Sequence, residues 1–343
     1  MKKKVIVYGA GNMGMAVCSA LLENDIAVKA IVDKGICEKK IVTVDQTPIP
    51  AIHPEKMDES DKNLDIVISI TAVTVSEIRA YLLDLGAEKA YSAGDYLCEF
   101  YKNGSFTNCG RLDREQYENA LKTEWDDNES DVEWRMACDW FFDRNEDTAM
   151  KSCFRPDREK YFPDFIRKLL RANDVMIDGA YLDGGYSKKF SELCNGTVYA
   201  FSLVPQEKTV SDLKNVFVDD RELASLSGDV IRNRTGLMKP FNESKEYRVR
   251  TVTLDQYVDE QAIAPTFIRA YSMSGILDLL MGARKTIEKN RPIIAANLAH
   301  YMIDLLMVPQ FMRLYCRDYR FLFRMHSFQG NDCIIYAIPK ERE

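Results

Sequence analysis

The chain has 343 residues, 46% of them hydrophobic and 29% charged, with a formal net charge of −7. That length suggests two domains, and the composition is ordinary for a soluble globular protein. An acidic balance without a lysine–arginine cluster argues against a nucleic-acid partner, because neutralising phosphates needs a basic face.

The N-terminal stretch Met1, Lys2, Lys3, Lys4 followed by apolar residues imitates a signal peptide. Gly9, Gly11, Asn12 and Gly14 break the apolar run at once, which argues against one. Lys4 to Tyr8 instead reads as a buried strand, Met15 to Glu23 as a helix and Ala27 to Val32 as a second strand. Between strand and helix lies Gly9-Ala10-Gly11-Asn12-Met13-Gly14, and Asp33 follows the second strand. This is the dinucleotide-binding fingerprint: the glycines bring a helix N-terminus to a pyrophosphate, and the acid accepts from a ribose. Gly9, Gly11, Gly14 and Asp33 are therefore candidate nucleotide-binding residues. Asp65 to Ile70, Val75 to Leu85 and Lys89 to Tyr91 continue as strand, helix and strand. About five strands in all lack a dehydrogenase's second half. Residues 1–105 resemble the small N-terminal domains of sugar-modifying transferases, which implies NAD or a nucleotide-sugar as ligand. A docking domain that keeps the turn for packing is the alternative.

Residues 106–173 read as a helical connector. The run Asp126 to Asp131 is expected to be a solvated break rather than a metal site, with Asp131 capping the next helix. Trp134, Ala137, Cys138, Phe141 and Phe142 recur at helical spacing and predict a packing face. Phe162 to Leu170 is a further amphipathic helix, entered at Pro163.

Residues 174–343 open with Val175 to Ile177 as a strand ending at Asp178. A turn containing Gly179, Gly184 and Gly185, a short helix from Ser187 to Leu193 and a strand from Thr197 to Phe201 follow. A strand ending in an acid, then a glycine turn and helix, is the opening of a nucleotide-type site at the carboxyl ends of an α/β sheet. Later strands are expected at Asn215–Val218, Arg248–Tyr257, Thr266–Tyr271 and Pro292–Asn297. Gly275 to Glu288 reads as one helix, and Tyr319–Met325 with Asp332–Ile338 as an antiparallel pair.

Asp178-Gly179-Ala180, the strand ending Ala200-Phe201-Ser202-Leu203, Thr253-Leu254-Asp255 and the closing stretch Phe323 to Pro339 carry a resemblance. They resemble the FkbM family of S-adenosylmethionine-dependent methyltransferases over roughly half the chain. The resemblance implies two doubly wound Rossmann-like α/β domains, the second a methyltransferase-type mixed sheet. It implies S-adenosylmethionine as cofactor, held by Asp178, Ala180, Asp183, Gly184 and Ser202. The family's glycine falls at Ala180 and its ribose-binding acid at Ser202. Its strand-four acids fall in Ile268 to Gly275, where none remains. His300 is the candidate proton acceptor, since imidazole titrates near neutrality; His326, in a predicted strand, is expected to be structural.

Nine dispersed cysteines without a Cys-x-x-Cys pair read as reduced thiols. Three histidines without paired spacing argue against zinc, and His53 reads as a loop residue. The apolar stretch from Pro292 to Val308 carries Asn297, His300 and Asp304, so no membrane span is expected. These features point to the cytoplasm, with a small-molecule partner, carbohydrate among the candidates, and self-assembly left open. Two functions follow. One is O-methylation of a sugar or similar hydroxylated metabolite. The other is an inactive methyltransferase-fold scaffold whose first domain binds a dinucleotide or nucleotide-sugar. A nicotinamide oxidoreductase is disfavoured, because no hydride-transfer constellation follows the first domain.

Overall fold

Two runs of apolar strands build two separate sheets in the computed structural model, which describes residues 3–70, 75–97, 112–143, 159–181, 184–202, 213–233, 246–272, 275–298, 302–326 and 332–342. The first sheet contains β1 (Lys4–Tyr8), β2 (Ala27–Val32), β3 (Lys40–Val44), β4 (Thr47–Ile52), β5 (Asp65–Ile68) and β6 (Lys89–Ser92), in the order β3-β4-β2-β1-β5-β6. All pairings are parallel except β3 with β4. The hairpin β3–β4 was not expected from sequence: Pro48 and Pro50 argue against a strand. It turns at Asp45 and Gln46, both with positive φ (47° and 65°), the backbone of a tight two-residue hairpin. The Asn12–Glu23 helix buries Ala16, Val17, Ala20 and Leu21 against β1 and β2.

The second sheet is assembled from β7 (Val175–Tyr181), β8 (Thr197–Ser202), β9 (Val216–Asp219), β13 (Phe267–Ala270), β14 (Ile293–Asn297), β15 (Tyr319–Met325) and β16 (Cys333–Pro339). Its order is β15-β16-β14-β13-β7-β8-β9, with β15 and β16 the expected antiparallel pair. Strands β10 (Glu222–Leu223), β11 (Gly228–Asn233) and β12 (Glu246–Val252) form a small separate sheet. Both large sheets are therefore parallel-dominated α/β layers. The chain order reverses between β7 and β13, so the carboxyl ends of these two strands mark the switch point, where ligands bind in such sheets.

Four sequence expectations shift, the first being the helix predicted over Phe162–Leu170, which is the single turn Asp164–Arg167. The strand predicted over Arg248–Tyr257 stops at Val252, because Thr253 accepts a hydrogen bond from Gln256 N and starts the Leu254–Gln261 helix. The single helix predicted from Gly275 to Glu288 is two, Ile276–Met281 and Arg284–Asn290. Asp255 accepts from Lys285 N and Thr286 N, capping the second of them from outside. The acidic run is exposed at Asp126, Asn128, Glu129 and Asp131 as expected, but the break is shorter than expected. The helix begins at Asn128, and Asp127, not Asp131, caps it by accepting from Ser130 N at 2.7 Å.

The expected aromatic face of that Asn128–Asp143 helix is buried: Trp134, Ala137, Cys138 and Phe141 share one apolar cluster with β13, β14 and β15. The helix also covers the outer edge of β15. Phe321 N donates to Asp126 Oδ2, Phe323 N to Ser130 Oγ and Met325 N to Glu133 Oε2. No helix among the described residues is long and apolar enough to cross a membrane.

Candidate functional site

Strands β7 and β13 run side by side, with Asp178 opposite Arg269 in the register. Strand β7 comes close to β13 because Gly179 has no side chain: a Cβ there would lie 2.4 Å from Tyr271 O. Asp178 is only 1% exposed and its carboxylate is fully engaged. It accepts from Ala180 N at 3.2 Å, from Ser187 Oγ at 2.6 Å and from Arg269 Nη1. Arg269 Nη1 also donates to Ala180 O at 2.9 Å. The guanidinium centre lies 4.5 Å from the Tyr161 ring centroid and 4.6 Å from that of Tyr186. Burial opposes its charge, yet Asp178 and the two tyrosines outweigh it and hold Arg269 protonated far above ordinary pH. Its Nε is buried without a hydrogen-bond partner, an omission that costs about 1–3 kcal/mol.

These groups border a cavity of about 210 Å³, lined by Asp178, Ala180, Gly184, Tyr186, Arg269 and Tyr271 together with Lys160 and Tyr161. Lys160 forms an ion pair with Asp332, which also accepts from Asn297 Nδ2 at 3.1 Å. Burial works against the Lys160 ammonium, but Tyr161 and Asp332 overcome it and raise its pKa. Desolvation pushes the Tyr271 phenol above its ordinary range. Neither group is therefore a proton acceptor near neutrality. Gly184, with φ of 74°, is the N-cap of the Gly185–Cys194 helix and has no side chain to contribute to it.

Of the residues expected from sequence, Asp178, Ala180 and Gly184 meet at this cavity. Ser202 ends β8, opposite Tyr181 in the register, and is buried. Asp183 and His300 lie outside the described residues. His326, expected in a strand, follows the last residue of β15 and its Nε2 is 3.0 Å from Tyr336 Oη. Lys160, Tyr186 and Arg269 were not anticipated. Arg269 carried a signal: a cation inside the buried run Phe267-Ile268-Arg269-Ala270 needs an anion from the neighbouring strand.

The second candidate site is the glycine loop after β1. A Cβ on Gly14 would fall 1.8 Å from Gly9 O, so only glycine lets the helix start this close to the loop. Asp33, at the end of β2, accepts from Ala10 N and Gly35 N, both at 2.7 Å. Gly9, Gly11, Gly14 and Asp33 are thus gathered at the carboxyl end of the first sheet. Lys34 Nζ lies 3.6 Å from the Tyr81 ring centroid beside them. Burial, Tyr81 and Asp33 push the Tyr8 phenol up to about 12.

A seven-stranded sheet in this order, with a cavity at its switch point, defines a Rossmann-like methyltransferase fold. Methyltransferase FkbM from Methylobacillus flagellatus KT is similar in structure, with a TM-score of 0.66 at 15% identity over 98% of this chain and 90% of that chain. Likeness at that identity establishes the fold. Aspartate semialdehyde dehydrogenase II from Vibrio cholerae aligns over 100% of this chain and 94% of that one at 10% identity, but its TM-score of 0.23 is too low to indicate a shared fold. No protein-family model matches the sequence, and no curated protein matches it significantly.

Proposed function

We propose that the chain is an S-adenosylmethionine-dependent methyltransferase that modifies a hydroxyl of a sugar or other small hydroxylated metabolite. The observation that carries this reading is the cavity at the β7–β13 switch point of a sheet in methyltransferase order. The groups on the turn after β7 and at the end of β8 fit the cofactor. The turn at Gly184 brings the backbone and the positive end of the Gly185–Cys194 helix to the cofactor, and the Ser202 hydroxyl at the end of β8 is assigned its ribose. A hydroxyl grips less strongly than the carboxylate of the resembling family. The Asp178–Arg269 pair is neutral as a unit, so it does not repel a sulfonium. When bound, the cofactor supplies an electrophilic methyl group for in-line displacement.

The residues of the chain orient and deprotonate the acceptor. Asp178 fixes the loop after β7 through Ala180 N and Ser187. Tyr161, Tyr186 and Tyr271 wall the cavity, and the acceptor is assigned to them. His300 is assigned the acceptor's proton. His300→Ala is expected to lower kcat by roughly 10²–10⁴ with cofactor affinity unchanged, and full activity in that variant removes the assignment. The proposal as a whole is tested by calorimetric titration of the full chain with S-adenosylmethionine. Binding on the order of micromolar supports it; no heat of binding at millimolar cofactor overturns it.

The closeness of Gly14 to Gly9 O favours a second role beside the first: a nucleotide ligand, a dinucleotide or a nucleotide-sugar, on the loop after β1. Titration with NAD and with UDP-glucose tests it, and the absence of binding by either removes it.

A further inference from the structure

The cavity between β7 and β13 contains one uncommitted charged donor. The Tyr161 and Tyr186 ring centroids lie 4.5 and 4.6 Å from the Arg269 guanidinium and 4.8 Å from each other, so both rings crowd the same side of it. Nη1 is used by Asp178 and Ala180 O. Nε, on the opposite edge, is buried and donates to nothing. A guanidinium edge is a flat two-donor fork, matched by the two oxygens of a carboxylate or phosphate. Lys160 adds a second cation to the same wall.

The charge balance suits an incoming anion. Arg269 is neutralised by Asp178 and Lys160 by Asp332, so no unpaired carboxylate among the described lining residues repels it. The size is restrictive. A volume of about 210 Å³ equals the liquid share of roughly seven waters, which suits a three- or four-carbon molecule and leaves the nucleoside of a cofactor to the turn after β7 and the end of β8. Tyrosine walls provide apolar faces with hydroxyls at their rims, a surface for a hydroxylated carbon chain.

We infer that this cavity binds a compact hydroxylated metabolite bearing one terminal oxyanion, carboxylate or phosphate, clasped by the free edge of Arg269 with Lys160 beside it. The inference rests on the methyl-transfer reading only in calling this molecule the acceptor; the binding itself does not require it.

The test is calorimetric titration of the full chain with D-glycerate, with glycerol 3-phosphate and with glycerol, S-adenosylmethionine being titrated separately. At least one oxyanion is expected to bind about ten-fold or more tightly than glycerol. Preference for glycerate identifies a carboxylate ligand, and preference for glycerol 3-phosphate a phosphate. Arg269→Lys keeps the charge opposite Asp178 but removes the fork, and is expected to weaken oxyanion binding by about ten-fold. Glycerol binding as tightly as either oxyanion, no oxyanion binding at all, or undiminished affinity in Arg269→Lys overturns the inference. Should that variant not fold, Lys160→Gln replaces it, with the same expected loss and the same overturning result. Oxyanion binding without cofactor binding upholds the site and removes the methyl-transfer reading. Cofactor binding without oxyanion binding does the reverse.

Discussion

Replacing Asp178 by Asn leaves the Arg269 guanidinium in a site only 5% exposed with no counter-charge. Removing one member of a buried pair costs about 3–5 kcal/mol, because the other charge stays buried. Asp178→Asn is therefore expected to lower the urea unfolding free energy by about that amount. A change below about 1 kcal/mol would show that Arg269 finds water or another partner. This dependence also means that lost cofactor binding in an Asp178 variant reports on folding before it reports on contact. Ser202 is the cleaner probe. Ser202→Ala removes one hydroxyl, and a single hydrogen bond contributes about 0.5–1.5 kcal/mol. Its cofactor affinity is expected to fall by roughly two- to ten-fold, with the urea unfolding free energy lowered by no more than about 1.5 kcal/mol. Unchanged affinity would take Ser202 out of the site.

At the scale of elements, the Asn128–Asp143 helix and β15 are matched in pitch. Asp126, Ser130 and Glu133 advance about 10 Å along a helical path, while Phe321, Phe323 and Met325 advance about 13 Å along a strand. Their three hydrogen bonds occupy the outward N–H groups of an edge that would otherwise be open to pairing with another chain. Arg324 ties the helix start down through Asp127. Burial pushes the Asp127 carboxyl up, but hydrogen bonds from Arg324 and Ser130 prevail and hold it at about 2. The folded pKa lies below the unfolded value of about 3.9. The contribution is therefore complete above that value and is lost as pH falls through about 2. Asp127→Asn is expected to flatten the fall in stability between about pH 4 and pH 2, followed by circular dichroism. An identical acid profile in the variant would show that the pair contributes nothing. The helical face of Trp134, Ala137, Cys138 and Phe141 was legible in the sequence because its period is local. The edge cover was not, because its partners lie 192 to 195 residues apart and no local pattern encodes them. The same holds at the cavity: the Asp178 turn and Gly184 read directly, whereas Lys160 and Arg269 gained meaning only from β7 pairing with β13.

Across the whole molecule, the apolar clusters do not mix. Two are built from residues between Val5 and Leu97, and two from residues between Leu112 and Ile338. Each set buries its own sheet, which is the condition for unfolding as a separate cooperative unit. Gly14→Ala separates them experimentally. Its methyl group would fall 1.8 Å from Gly9 O, and backbone on both sides leaves no flexible side chain to yield. The Asn12–Glu23 helix must then move away from the loop, disturbing the packing of Ala16, Val17, Ala20 and Leu21. Overpacking of this kind costs typically about 1–3 kcal/mol. In a thermal scan, one transition is expected to move down while a second holds its place. Nucleotide binding at the first sheet should weaken, and oxyanion and cofactor binding at the second sheet should not change. A single transition that shifts as a whole would mean the two sheets unfold together. Loss of oxyanion binding in Gly14→Ala would mean that the two sites are coupled through the chain.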